Sequence, residues 1–215
     1  MDTSSIDVYV IIDIFLLLLI GVGPKIALVP FVEVTAGMDA ATKARVTRTM
    51  LTTAGGVALI LITLGELLRR LLHFSTGALS IAGGIILLII AVSMIRGPSQ
   101  AETDHRDAIE PDPMRLAVFP LAVPYLLNPV GIVVLVTLSA DADSVGLFVA
   151  VVGLLALVLA LDVAVFRWAN RVSEHLDASR MLVTEKVFGV LLSALAVQLA
   201  LNGLADLGLI HLPVH

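Results

Sequence analysis

Residues 21–30 read Gly21-Val22-Gly23-Pro24-Lys25-Ile26-Ala27-Leu28-Val29-Pro30, and residues 120–131 read PLAVPYLLNPVG. Both strings lie inside long apolar runs, at 7–32 and 116–139. Proline has no N–H, and its ring clashes with the carbonyl four residues back. Neither run is therefore predicted to cross a bilayer as one unbroken helix. Gly23 and Asn128, just before the prolines, loosen the turn or offer a side-chain amide. Unwound backbone is tolerated at membrane depth only where it is buried in protein or lines a wet cavity.

The rest of the chain fixes the setting of these two breaks. Of 215 residues, 59% are hydrophobic and only 14% charged, with a mean hydropathy of +1.05. A soluble domain carries about a quarter charged residues, so a water-soluble globule, a disordered tail and most soluble enzymes are excluded. The net charge of −5 leaves no basic footprint for nucleic acid. Cysteine is absent, which removes disulfides, thiolate metal sites and thiol-relay chemistry. No nucleotide-binding, zinc-protease or serine-hydrolase motif occurs, so no catalytic residue, metal site or cofactor is expected. Histidines 73, 105, 175, 211 and 215 fall in loops or the C-terminal tail.

A crossing helix needs about 20 apolar residues. Six runs qualify: 7–32, 46–68, 77–95, 116–139, 145–168 and 186–210. The expected architecture is all-α, a single polytopic membrane domain over 1–215, with one long polar joint at 96–115. The first run lacks a basic leader and is too long for a cleaved signal peptide. Lys43, Arg45, Arg48, Arg96, Arg106, Arg115, Arg167, Arg171, Arg180 and Lys186 fall on one side of six spans, and only Arg69 and Arg70 on the other. The positive-inside rule then puts both termini outside and the 96–115 joint in the cytoplasm.

The two halves, 7–95 and 116–210, resemble each other at an offset of 105. Pro24 matches Pro129, Gly84 matches Gly189, and Ala91 matches Ala196. Three spans per half give the halves opposite senses, which predicts a 3+3 inverted repeat with spans 1 and 4 interrupted. Interrupted helices at matching positions point to a midplane substrate site.

Few polar side chains remain inside the spans. Lys25 follows Gly23-Pro24 directly and calls for a partner, because a lysine at the centre of a span costs about 2.5–3.5 kcal/mol. It is expected either to serve a substrate-carboxylate or coupling-ion site, or to form a structural ion pair with Asp13 or Asp162. Gln198 and Asn202, four apart on one helical face, either bind a ligand or bridge helices. Gly189, Ser193, Ala196, Ala200 and Gly203 form a small-residue stripe suited to close helix packing, as do Ser80, Gly84 and Ala91.

Ile81-Ala82-Gly83-Gly84-Ile85 through Met94, the Gly37-Met38 loop with its following basic residues, Ala122-Val123-Pro124 leading to Asn128-Pro129, and Gln198 with Asn202-Gly203 resemble the MarC family. This is the neutral amino acid transporter family, of the UPF0056 type, within the LysE-like superfamily. The likeness runs in order from about residue 12 to 205. It implies six helices, a bacterial or archaeal inner membrane and no enzyme activity. For some members it implies transport of glycine, alanine and similar solutes. The family's first half usually reads Asn-Pro-x-Gly, where this chain has Gly23-Pro24-Lys25-Ile26. Its second half usually reads Gly-Pro-Gly, where this chain has Asn128-Pro129-Val130-Gly131.

The expected function is a secondary transporter or exporter of a small amino-acid-like solute, driven by H+ or Na+. Its site is expected to draw on Gly23, Pro24, Lys25, Asn128, Pro129, Gln198 and Asn202. The alternative is a membrane scaffold that moves nothing. A water-accessible midplane cavity discriminates the two, since a dry, fully packed interface between the halves would favour the scaffold. The lipid bilayer is the one partner expected throughout; a homo-oligomer is left open.

Overall fold

Lipid offers no partner for backbone N–H and C=O groups, so a chain this apolar closes its hydrogen bonds within helices. The computed structural model describes residues 8–96, 112–141, 144–172 and 178–211, and these are almost wholly helical. The elements are α1 (Val8–Gly21), α2 (Pro24–Val34), α3 (Ala40–Leu72), α4 (Thr76–Arg96), α5 (Pro113–Leu126), α6 (Pro129–Asp141), α7 (Val145–Val172) and α8 (Ala178–Asp206). Most of the expected 96–115 joint, with His105 and Arg106, lies outside the described residues, as do His175 and His215.

Among the described residues, four helices are long and apolar enough to cross a bilayer: Ala40–Leu72, Thr76–Arg96, Val145–Arg171 and Lys186–Asp206. The first and fourth apolar runs are each divided in two, α1 with α2 and α5 with α6. The dividing prolines do not kink a continuous helix. Each opens the second half, Pro24 at the start of α2 and Pro129 at the start of α6, where its missing N–H is one that no helix would have used. α5 carries two further prolines, and the residues before them, Phe119 (φ −137°, ψ 125°) and Val123 (φ −135°, ψ 123°), are extended. Proline disfavours the helical region for its predecessor, so this half is irregular, and the Leu127 N–H reaches back five residues to the Ala122 carbonyl (2.9 Å).

Side chains close the starts of α3, α4, α5 and α7. Asp39 accepts from the Thr42 N–H (2.6 Å), Ser75 from Ala78 (3.1 Å), Asp112 from Met114 (3.0 Å) and Ser144 from Leu147 (3.2 Å). Such caps take up orphan donors of the first turn.

α4 and α8 pack along their length, and small residues decide how closely. A Cβ added at Gly84 would lie 2.7 Å from the Ala196 carbonyl oxygen; one at Gly189 would lie 3.0 Å from that of Ala91. At one end of the pair, a Cβ at Gly77 would lie 2.7 Å from the Gly203 carbonyl oxygen. The helices therefore meet backbone to backbone, as the small-residue stripe predicts. The main core holds Leu18, Phe31, Met50, Leu121, Leu155 and Phe166, with the Phe31 and Phe166 rings edge to face at 4.9 Å. Ile60, Leu71, Ile85, Ile89, Val149, Val187 and Val190 are exposed, an apolar exterior that suits lipid.

Gly84→Val is expected to lower the unfolding midpoint of the detergent-solubilised protein by several degrees, because overpacking costs about 1–3 kcal/mol and about 2–4 °C follow from each. Ile85→Val, on the outer face of the same helix, is expected to stay within about a degree. Equal midpoints for the two variants would contradict the close packing at Gly84.

Candidate functional site

The two breaks meet. Val22 and Leu127 form an isolated antiparallel bridge, and the Asn128 N–H donates to the Gly21 carbonyl (3.0 Å). Asn128 then uses its side chain in both directions. Its Nδ2 donates to the Ile20 carbonyl (2.7 Å), an acceptor left over at the end of α1, and its Oδ1 accepts from the Gly131 N–H (3.1 Å) in the first turn of α6. Gly21 and Gly131 touch through their backbones, with no room for a Cβ on either. Val22, Leu126, Leu127 and Asn128 are fully buried. The unwound backbone at this seam is thus closed off by protein.

Gly23 starts α2 with no side-chain cap. A Cβ there would collide with the Leu19 carbonyl, so the asparagine found before the proline of the second break has no room before the proline of the first. Gly23 and Asn128 are structural parts of the seam. Pro24 is half-buried beside them.

Gln198 and Asn202 lie elsewhere. Both are exposed on α8, and Gln198 Nε2 donates to Asn202 Oδ1 (2.8 Å). They line a cavity of about 420 Å³ between α1, α4, α6 and α8. Ile20 and Val130, which flank the seam, form part of its wall, and Ser80, Thr137 and Asp206 add polar groups. Of the seven expected site residues, the structure gathers two around this cavity. Pro129 faces a different, apolar cavity of about 310 Å³ against Gly83 and Phe119.

Thr137 and Asp206 are not among the residues that the sequence singles out, and Ser80 belongs to its small-residue stripe. Thr137 was detectable in principle. Positions 130, 133, 134 and 137 share one helical face by spacing, and all four line the cavity.

Lys25 departs from expectation. Its side chain is exposed, and it forms no ion pair with Asp13 or Asp162. The reason is direction: Asp13 is exposed on α1, and Asp162 is wholly enclosed. Asp162 occupies a core position of α7, in register with the buried Val158 and Phe166. Neither of its carboxyl oxygens has a hydrogen-bond partner among the described residues. Glu66, in the last two turns of α3, is bound by Arg69 (2.7 and 2.8 Å) and Arg70 (2.5 Å).

Asn128→Ala strands the Ile20 carbonyl and the Gly131 N–H, at about 1–3 kcal/mol each. A clear drop in thermal midpoint and in the yield of folded protein is expected. Asn202→Ala, at an exposed pair, is expected to change stability by no more than about 0.5 kcal/mol. Fluorescence-detected gel filtration after a temperature ramp reads both, and equal midpoints would contradict the role of Asn128 in the seam.

A family model described as MarC family integral membrane protein matches residues 8–207. The UPF0056 membrane protein YvbG of Bacillus subtilis is 28% identical over 204 residues, covering 93% of this chain and 94% of its own. The UPF0056 membrane protein MJ1677 of Methanocaldococcus jannaschii is 31% identical over 142 residues, 65% of this chain and 69% of its own. The UPF0056 membrane protein YhcE of Escherichia coli K12 is 28% identical over 183 residues, 81% and 82% of the two chains. No solved structure matches. The long apolar helices, the divided first and fourth runs and a family match across nearly all of the chain agree, and the chain belongs to the MarC family of integral membrane proteins.

Proposed function

We propose that this protein is a secondary transporter or exporter of small neutral amino acids, built as a 3+3 inverted repeat in the inner membrane. The observation that carries this is the seam with the cavity beside it. Two helices interrupted at positions 105 apart face each other, and residues next to both interruptions, Ile20 and Val130, form the wall of a cavity with polar groups.

Several features support the repeat. Val22 and Leu127 are 105 apart, as are the members of each glycine and alanine match between α4 and α8. The neighbours also correspond: α3 lies against α5 and α6, while α7 lies against α1 and α2. The scaffold alternative calls for a dry interface between the halves, and a cavity of about 420 Å³ counts against it.

A neutral amino acid brings a carboxylate and an ammonium. The amides of Gln198 and Asn202 donate to the first, and the Asp206 carboxylate accepts from the second. Asp162 is the group we assign to the coupling cation, H+ or Na+. Ionisable groups within spans are rare and mark ion or proton pathways, and this one lies a turn from Phe166, which holds α7 against Phe31 of α2, the half-helix that starts at the first break. In this arrangement the termini lie outside, and the 96–115 joint and the basic ends of α3 and α7 lie in the cytoplasm.

The test is uptake of labelled glycine and alanine into proteoliposomes under an imposed pH or Na+ gradient. The double variant Gln198→Ala/Asn202→Ala is expected to lose about fivefold or more in uptake, since two hydrogen bonds of about 0.5–1.5 kcal/mol each go with the amides. Asp162→Asn is expected to abolish gradient-driven accumulation and leave exchange. Lys25→Ala, outside the cavity, is expected to retain uptake. No accumulation of any neutral amino acid above empty liposomes would overturn the proposal.

A further inference from the structure

We propose that the cavity between α1, α4, α6 and α8 selects neutral amino acids with a large apolar side chain, leucine before glycine. This side-chain class rests on the transport reading of the same cavity. It comes from the order in which polar and apolar residues follow one another along the wall.

The glycine contacts fix a common scale. α4 and α8 run antiparallel, with Gly77 against Gly203, Gly84 against Ala196 and Ala91 against Gly189. A Cβ at Gly83 would touch both Leu199 and Val133, and one at Gly21 would collide with Gly131, which places α6 and the end of α1 on the same scale. The α8 wall of the cavity runs from Leu195 to Asp206, about 16 Å at the helical rise. Leu195, Val130 and Ile20 stand level with the seam and form the floor. Val133 and Leu199 come next, with Gln198 and Ser80 beside them. Asn202, Thr137 and Asp206 stand at the opposite end, the mouth.

The mouth suits the charged part of the solute. Asp206 ends α8, where the helix carries partial negative charge, and it forms no ion pair among the described residues. An ammonium answers both. With the ammonium there, the side chain of the solute points at the floor and meets only aliphatic groups below Gln198. Glycine leaves that floor empty. A cavity of about 420 Å³ is of the size that encloses ligands far larger than glycine. Burying a leucine side chain against such a floor favours binding at least about tenfold.

The experiment titrates the full chain in detergent with glycine, alanine and leucine, and reads the thermal midpoint at each concentration. Leucine is expected to half-saturate its shift at a concentration at least about tenfold below that of glycine, with alanine between. Leu195→Phe and Ile20→Phe fill the floor independently, from α8 and from α1. Each is expected to cut the preference for leucine about fivefold or more. Glycine saturating at or below the leucine concentration overturns the side-chain class, and glycine accumulation in proteoliposomes then leaves the transport reading standing. A leucine preference without accumulation of any neutral amino acid supports the side-chain class and overturns transport instead. A leucine preference that both filled variants retain puts the ligand elsewhere and overturns the assignment to this cavity. No shift with any of the three amino acids overturns it as well.

Discussion

Breaking a helix inside a bilayer leaves carbonyl and N–H groups that lipid cannot satisfy, and this chain breaks two. It resolves the problem by bringing the breaks together. The Gly21 carbonyl takes the Asn128 N–H, the Ile20 carbonyl takes the Asn128 amide, and the Gly131 N–H finds the Asn128 oxygen. One side chain therefore serves the end of one half-helix and the start of another. Everything adjacent follows from the closeness this needs, including the two glycines at 21 and 131 and the buried Leu126 and Leu127.

The seam positions the cavity. With the breaks closed by protein, the cavity forms beside them, a largely apolar space between α1, α4, α6 and α8 with a few polar side chains. The α4–α8 pair is held by backbone contact at Gly77, Gly84, Gly189 and Gly203. Gln198 and Asn202 project from α8, so the amides that line the cavity stand on an unbroken helix.

Charge follows a similar division. Glu66 with Arg69 and Arg70 forms a compact network at one end of α3, while Lys43 and Arg48 stand at the other with Arg167 and Arg171 of α7. Between these ends lies Asp162, in a core position and without a hydrogen-bond partner among the described residues. By sequence, Lys25 was the more conspicuous charge because it adjoins Pro24. In the fold it is Lys25 that is exposed and Asp162 that is enclosed.

Composition alone determined that the chain belongs in a membrane, because 14% charge cannot cover a soluble surface. Proline chemistry determined where the two apolar runs divide, since Pro24 and Pro129 can begin a helix but not continue one. The small-residue stripes foretold the α4–α8 contact, because helix spacing turns a sequence interval into a face. Only the tertiary structure decided what each polar residue does. A string of residues shows that Asn128 precedes a proline, but not that the Ile20 carbonyl, 108 positions away, comes within 2.7 Å of its amide. Nor does it show that Lys43 and Arg167 share a cleft, or that Lys25 and Asp162 face apart. Those outcomes depend on which faces of distant helices are turned toward each other, and packing against partners remote in the chain sets that rotation.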